Sequence, residues 1–153
     1  MVGVDMDITA LKRAEIELAS SEARFRVAFD MAAIGMALVQ PDGRWLQVNS
    51  ALCELLGYSA AEMLATDFQS LTHADELPET LSLIRQLHAG DIDQVHQEKR
   101  YRMRSGEYRW VRVSVSLVRD RDGRPLYHVT QVSDIEARHR AETAVMAAKQ
   151  LAE

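Results

Sequence analysis

The chain is short of cysteine, proline, glycine and aromatic residues, has no basic excess, and contains no long apolar run. A single cysteine, Cys53, stands in 153 residues. It rules out an intrachain disulfide and suits a reducing compartment, so a cytoplasmic setting is expected. The seven glycines are scattered at turn-like positions and form no phosphate-binding loop. The five histidines, His73, His88, His96, His128 and His139, make no H-x-x-x-H pair and no Cys/His cluster, so no metal site is expected. No G-x-S-x-G motif or other catalytic set is present, which points away from an enzyme. A net charge of −5 gives no electrostatic attraction to nucleic acid or to an anionic membrane. No stretch of about 18 apolar residues exists to span a bilayer, and the first residues show no charged segment followed by an apolar core, so no signal peptide is read there. What is present is globular: 47% hydrophobic and 27% charged residues, in a length that suits one core.

Nearly the same phrase occurs near both ends. "DITALKRAE" at residues 7–15 and "DIEARHRAE" at residues 134–142 share six of nine letters at an offset of 127 residues. One domain cannot hold two copies of such a unit. The expected arrangement is one full unit preceded by the tail of an earlier one, a piece of a tandem array.

From Ile8 to about Ala33 the chain is rich in Ala, Glu, Leu and Arg, without Pro or Gly, and reads as helix. Val4, Leu11, Leu18 and Phe25 recur every seven residues, as in one seam of a coiled coil. The second seam is poor, so a single amphipathic helix packed on its own domain stays open as an alternative. "GMALVQPDGRWLQVN" reads as a hairpin around Asp42–Gly43. "SALCELLGY" reads as a short helix capped by Ser50 and stopped by Gly57, and "SAAEML" as another, with Ser59 and Glu62 in a capping box. "HADELPETLSLIRQLHAG" reads as a longer helix, with Pro78 in its first turn, Leu77, Leu81, Ile84, Leu87 and His88 on its buried face, and Gly90 at its end. Three strands follow, turning at Ser105–Gly106 and Asp122–Gly123. The middle one alternates: Val111, Val113, Val115 and Leu117 on one face, Trp110, Arg112, Ser114 and Ser116 on the other. A last helix carries Ala137, Ala141, Ala144, Ala148 and Leu151 in a small-residue heptad seam. The order argues an α+β fold with an antiparallel sheet and inserted helices on one face.

The stretch "SEARFRVAFDMAAIGMALVQPDGRWLQVNSALCELLGYSAAEML" resembles the first half of a PAS domain, and "EKRYRMRSGEYRWVRVSVSLVRDRDGRPLYHVTQVSDI" resembles its second half, the PAC region. The likeness runs from about Ser21 to Glu136, and rests on Val48–Asn49, "LLGYS", "RYRMRSGEYRWV" and the terminal Asp-Ile. It implies a PAS fold: a five-stranded antiparallel sheet, inserted helices on one face, and linker helices at both ends. Residues 1–9 would then be the tail of a preceding module, 10–33 a linker helix, 34–136 the PAS core and 137–153 a signalling helix. Asp134, Ile135 and Glu136 would form the joint between the last strand and the signalling helix, with Glu136 where the family commonly has Thr. A carboxylate near a helix N-terminus is favourable in either case.

The resemblance places a ligand pocket at Tyr101, Met103, Val111, Val113, Val115, His128, Thr130, Ile84 and His88, with Leu117 and Val132 on the same face. Buried Tyr101, His128 and Thr130 need partners, either one another and ordered water or a ligand. Cys53 in "ALCELL" lacks the setting of photoactive flavin members, and no convincing haem ligand is present, so no cofactor is expected; an unknown small ligand stays open. Trp110, on the outer face, is expected under the N-terminal helix or a dimer partner. The expected role is a sensory and relay module of a histidine-kinase or diguanylate-cyclase type protein, homodimeric through the N-terminal helix and the outer sheet face, beside further PAS or output domains. The rivals are a ligand-free dimerisation scaffold and a haem-based gas sensor.

Overall fold

The computed structural model describes residues 2–152, with side chains from residue 8 onward. Val4 of the heptad seam and Asp7 of the first Asp-Ile pair therefore lie outside the residues whose side chains are described. Helix α1 (Val2–Met31) leads into strands β1 (Gly35–Val39) and β2 (Trp45–Val48). Helices α2 (Ser50–Leu56), α3 (Ala60–Leu64), α4 (Phe68–Leu71) and α5 (Leu77–Ala89) are inserted before β3 (Gln94–Arg102), β4 (Tyr108–Arg119) and β5 (Pro125–Asp134). Helix α6 (Glu136–Ala152) follows. The strands form one antiparallel five-stranded sheet in the order β2-β1-β5-β4-β3. The expected α+β architecture is the one observed.

Two glycines are required where they stand. Gly43 holds φ +104° in the β1–β2 turn, a conformation that L side chains rarely adopt. At Gly35 a Cβ would meet the Val132 carbonyl oxygen at 3.0 Å and Leu52 at 3.2 Å, so its hydrogen lets α2 lie close against β1 and β5. The core is built from the inner sheet face, including Val111, Val113 and Val132, and from the helix side chains Leu52, Leu56, Met63, Leu71 and Leu87.

The cap of α2 differs from expectation. Asn49, not Ser50, is the N-cap, and it is fully buried. Its Oδ1 accepts from the N–H of Leu52 (3.1 Å) and of Met36 (2.8 Å). Its Nδ2 donates to the carbonyls of Phe29 (2.8 Å) and Ile34 (3.0 Å). One amide therefore ties the end of α1, the start of β1 and the first turn of α2. Ser50, one residue on, instead donates through its hydroxyl to Asp30 at 2.8 Å. The capping box of Ser59 and Glu62 forms as read. Helix α4, with Asp67 as its cap, has too short an apolar pattern to be read in advance. On α5 the deepest residues are Thr80 and Leu87, and Leu77, Leu81, Ile84 and His88 are half-buried.

Helix α1 does not pack along its own domain. Its apolar side chains Ile8, Leu11, Ile16, Leu18, Phe25 and Val27 are exposed, and Phe29 is buried at its end. That removes the alternative of a single amphipathic helix seated on the core.

Asn49→Ala strands two carbonyls and two N–H groups. It should cost about 3 kcal/mol or more in urea unfolding. Asn49→Asp keeps both acceptor bonds but points oxygen at two carbonyls, and is expected to rescue little of that loss.

Candidate functional site

The sheet register sets rows of side chains across the inner face. Val95 pairs with Val115, Val115 with Thr130 and Thr130 with Ala37; one step along, Leu117 pairs with His128 and His128 with Val39. Helices α4 and α5 roof these rows with Phe68, Thr80 and Ile84, and β2 adds Trp45. Between them lies a cavity of about 20 Å³, room for little more than one water molecule.

Of the residues expected at a pocket, Tyr101, Val113, Val115, His128, Thr130 and Ile84 border this cavity. Met103 and Val111 do not: Val111 is buried in the core beside it, and Met103 lies past the end of β3, partly buried against that core. His88 stands one layer out, its Nε2 2.8 Å from Nε2 of His128 with the rings stacked. Both imidazoles are held below the usual histidine range. For His88 the cause is burial and then the charge of Arg119. For His128 burial, then His88, pushes the value down to about 4, against a bond to the Gln40 backbone. Across this contact one Nε2 donates and the other accepts, so the two rings carry complementary tautomers.

Sequence reasoning missed the strongest polar features. Gln97 and Lys99 share the inner face of β3 with Val95 and Tyr101. Lys99 is 2% exposed. Its Nζ donates to the hydroxyls of Thr72 (3.2 Å) and Thr80 (3.4 Å), and lies over the rings of Tyr101 and Phe68. Thr80 in turn donates to Gln97 Oε1 at 2.7 Å. Burial pushes Lys99 down to about 7, with the Glu76 charge opposing. Glu76 is itself committed to Arg100, whose Nη2 is 2.6 Å away. The Tyr101 phenol is pushed upward by burial alone. The indole N–H of Trp45 is buried with no hydrogen-bond partner.

On the other sheet face, the joint to α6 is laced to β4. Asp134 Oδ1 accepts from the Glu136 N–H (3.0 Å), and its Oδ2 pairs with Arg109 (2.7 Å). Glu136 accepts from the Trp110 N–H (2.8 Å), and the Ile135 N–H donates back to the Trp110 carbonyl (3.1 Å). Ile135 is buried. The Trp110 ring stacks on His139 of α6, centroids 4.1 Å apart, with Arg100 on it at 5.0 Å. Trp110 is thus covered by the C-terminal helix; the expectation of the N-terminal helix fails because α1 leaves the domain at Asp30 and Asn49.

Among the described residues one His/Asp/Glu group, His73, Asp75 and Glu76, could surround an ion, but Arg100 already engages both carboxylates. No helix among the described residues is long and apolar enough to cross a membrane.

The sheet order, the helices inserted between β2 and β3, and the strand-to-helix joint define one class of open-sheet α+β domain. A family model for the PAS fold matches residues 46–130, and the chain belongs to that family. A probable diguanylate cyclase, DgcE of Escherichia coli K12, is 42% identical over 137 residues, covering 90% of this chain and 12% of that protein. The sensor histidine kinase TmoS of Ectopseudomonas mendocina is 25% identical over 132 residues, covering 86% of this chain and 14% of that protein. The chain therefore spans a small part of the length of both relatives. Among solved structures, a sensory box histidine kinase/response regulator from Burkholderia thailandensis superposes with a TM-score of 0.67 at 23% identity, over 83% of this chain and 95% of that one. The PAS domain of an HTR-like protein from Haloarcula marismortui gives 0.66 at 21%, over 81% and 99%. The chain is a PAS sensor domain with a regulatory fold.

The buried lysine sets a pH dependence. Its folded value, about 7, lies below the ordinary 10.5. Between those values the unfolded chain binds more protons, so stability rises with pH. From pH 7 to 9 the gain should be about 2 kcal/mol, or roughly 4–8 °C in melting temperature. Above pH 9, Cys53 and Tyr101, both shifted upward, pull the other way. Lys99→Met should raise the midpoint at pH 7 and flatten the rise, as calorimetry across that window will read.

Proposed function

We propose that this domain couples a signal, received at its cavity or from the upstream helix, to the packing of α6 in a homodimer. The parent is read as a histidine-kinase or diguanylate-cyclase type protein with adjacent PAS or output domains. Its catalytic domain is assigned outside this chain, and the module is read as cytoplasmic, without cofactor, nucleic acid or membrane insertion. The observation that carries the reading is the shared strand β4. Val113 and Val115 line the cavity from one face of it, while Trp110 holds His139 of α6 from the other. A shift of β4 moves both. Switches of this kind need two helix arrangements separated by only a few kcal/mol. The alanine seam of α6, exposed along its length, is suited to weak, exchangeable packing.

Dimerisation is assigned to α1 and the outer sheet face. The exposed Leu11, Leu18 and Phe25 support it, because such a row on a long helix has no partner within the domain. Glu at both Leu11 and Leu18 should convert a dimer to a monomer in light scattering; an unchanged dimer would remove α1 from the interface. The small cavity favours one rival, a ligand-free dimerisation scaffold. Asp134→Ala separates the two. It removes the Arg109 pair and the Glu136 N–H bond, with a loss of roughly 0.5–2 kcal/mol. Under the relay reading the core stays folded and amide exchange rises mainly in residues 137–151. Equal rises in Val111–Leu117 make Asp134 a general stability residue and count against the relay.

A further inference from the structure

We propose that the cavity binds a short-chain carboxylate, its anionic head received by Lys99 and the indole N–H of Trp45. This rests on reading the cavity as a ligand site and names the ligand's chemistry. The argument is an imbalance of donors and acceptors. The Lys99 ammonium has three donors. Its partners are the two hydroxyls of Thr72 and Thr80, which pass their own protons to the Phe68 carbonyl and to Gln97. Lys99 is in no ion pair among the described residues. Both oxygens of Glu76, the nearby carboxylate, are taken by Arg100. Trp45 adds a second donor without an acceptor, and it borders the same cavity as Lys99. Both contact Tyr101: Trp45 meets its ring edge-on at 6.2 Å, and Lys99 Nζ is 4.8 Å from its centroid.

A buried Lys99 otherwise sheds its proton or rests on the two rings beneath it, and an orphan N–H stays unpaired; an arriving acceptor stabilises both. A carboxylate is acceptor-only, and one negative charge matches one ammonium. A phosphate would bring a second charge, and no second Lys or Arg is buried among the described residues to meet it. The rest of the lining, Val113, Val115 and Ile84, is apolar and suits a short alkyl tail. The present volume of about 20 Å³ holds little more than one water molecule, so a guest of a few heavy atoms enters only as α5, whose Ile84 is half-buried over the cavity, moves outward.

The test titrates the isotope-labelled chain with sodium propionate, and with propionamide as a neutral isostere, against sodium chloride of equal ionic strength, by heteronuclear NMR. Propionate should shift the Trp45 indole signal and the amides of Val113 and Thr130 in a saturable way. Lys99→Met should weaken that binding by about ten-fold or more, as expected for loss of a charge-assisted contact. Should that variant fail to fold, Trp45→Phe, read at the Val113 and Thr130 amides, should still weaken it several-fold. Propionamide binding as well as or better than propionate would overturn the carboxylate assignment and leave the ligand-site reading standing. No saturable shift with either probe would overturn the assignment and the ligand-site reading together. Equal propionate binding by the two variants and the native chain would place the anion elsewhere and overturn it as well.

Discussion

The structure turns on the side-chain amide of Asn49. It is buried, and its four bonds go to backbone from three parts of the fold: the last turn of α1, the start of β1, and the first turn of α2. Helix α1 has few other ties to the core. Phe29 is buried beside Phe25, and Asp30 accepts from the N–H and hydroxyl of Ser50. Everything N-terminal to Phe29 that is described stands exposed. The helix is thus held to the domain at its last turn, by Asn49, Phe29 and Asp30.

At the other end, α6 is attached by a different device. The pairing of β4 with β5 ends at Val111 and Asp134, and the next residues continue it by other means: the Glu136 carboxylate takes the Trp110 N–H, and the Trp110 carbonyl takes the Ile135 N–H. The helix is thus an extension of the sheet ladder. Because side chains alternate along a strand, Trp110 at this junction and Val111 in the core are consecutive residues. Helices α1 and α6 therefore meet the domain at different kinds of joint, one a polar node at Asn49 and the other a continuation of the β4–β5 ladder.

Much of this was legible in the sequence. The hairpin turns at Asp42–Gly43, Ser105–Gly106 and Asp122–Gly123, the capping box at Ser59, and the alternation of β4 are local signals, and each lies where it was read. The family likeness supplied the rest of the fold. The interior polar groups were not legible for identifiable reasons. Counting back by twos from Tyr101 puts Lys99 and Gln97 inside, but the charged run "EKRYRMR" reads as a solvated face, and composition masked parity. Ser50 and Asn49 are both good caps; the choice fell to Asn49 because its extra donors meet carbonyls that only the tertiary fold brings near. His88 meets His128, and Trp110 meets His139, across long sequence separations that no periodicity encodes. Thr80 lies deeper than its helical neighbours because Lys99 and Gln97 draw its hydroxyl inward.

The chain has two tryptophans, and they occupy the two ends of the proposed coupling: Trp45 at the cavity and Trp110 under α6. Fluorotryptophan NMR on the native chain and on a Val115→Ala variant, which disturbs only the cavity face of β4, measures that coupling directly. If cavity and exit helix share β4, both fluorine signals move, and the Trp110 response is lost when His139 is replaced by Ala. A Trp45 signal that moves while that of Trp110 stays fixed would contradict the coupling.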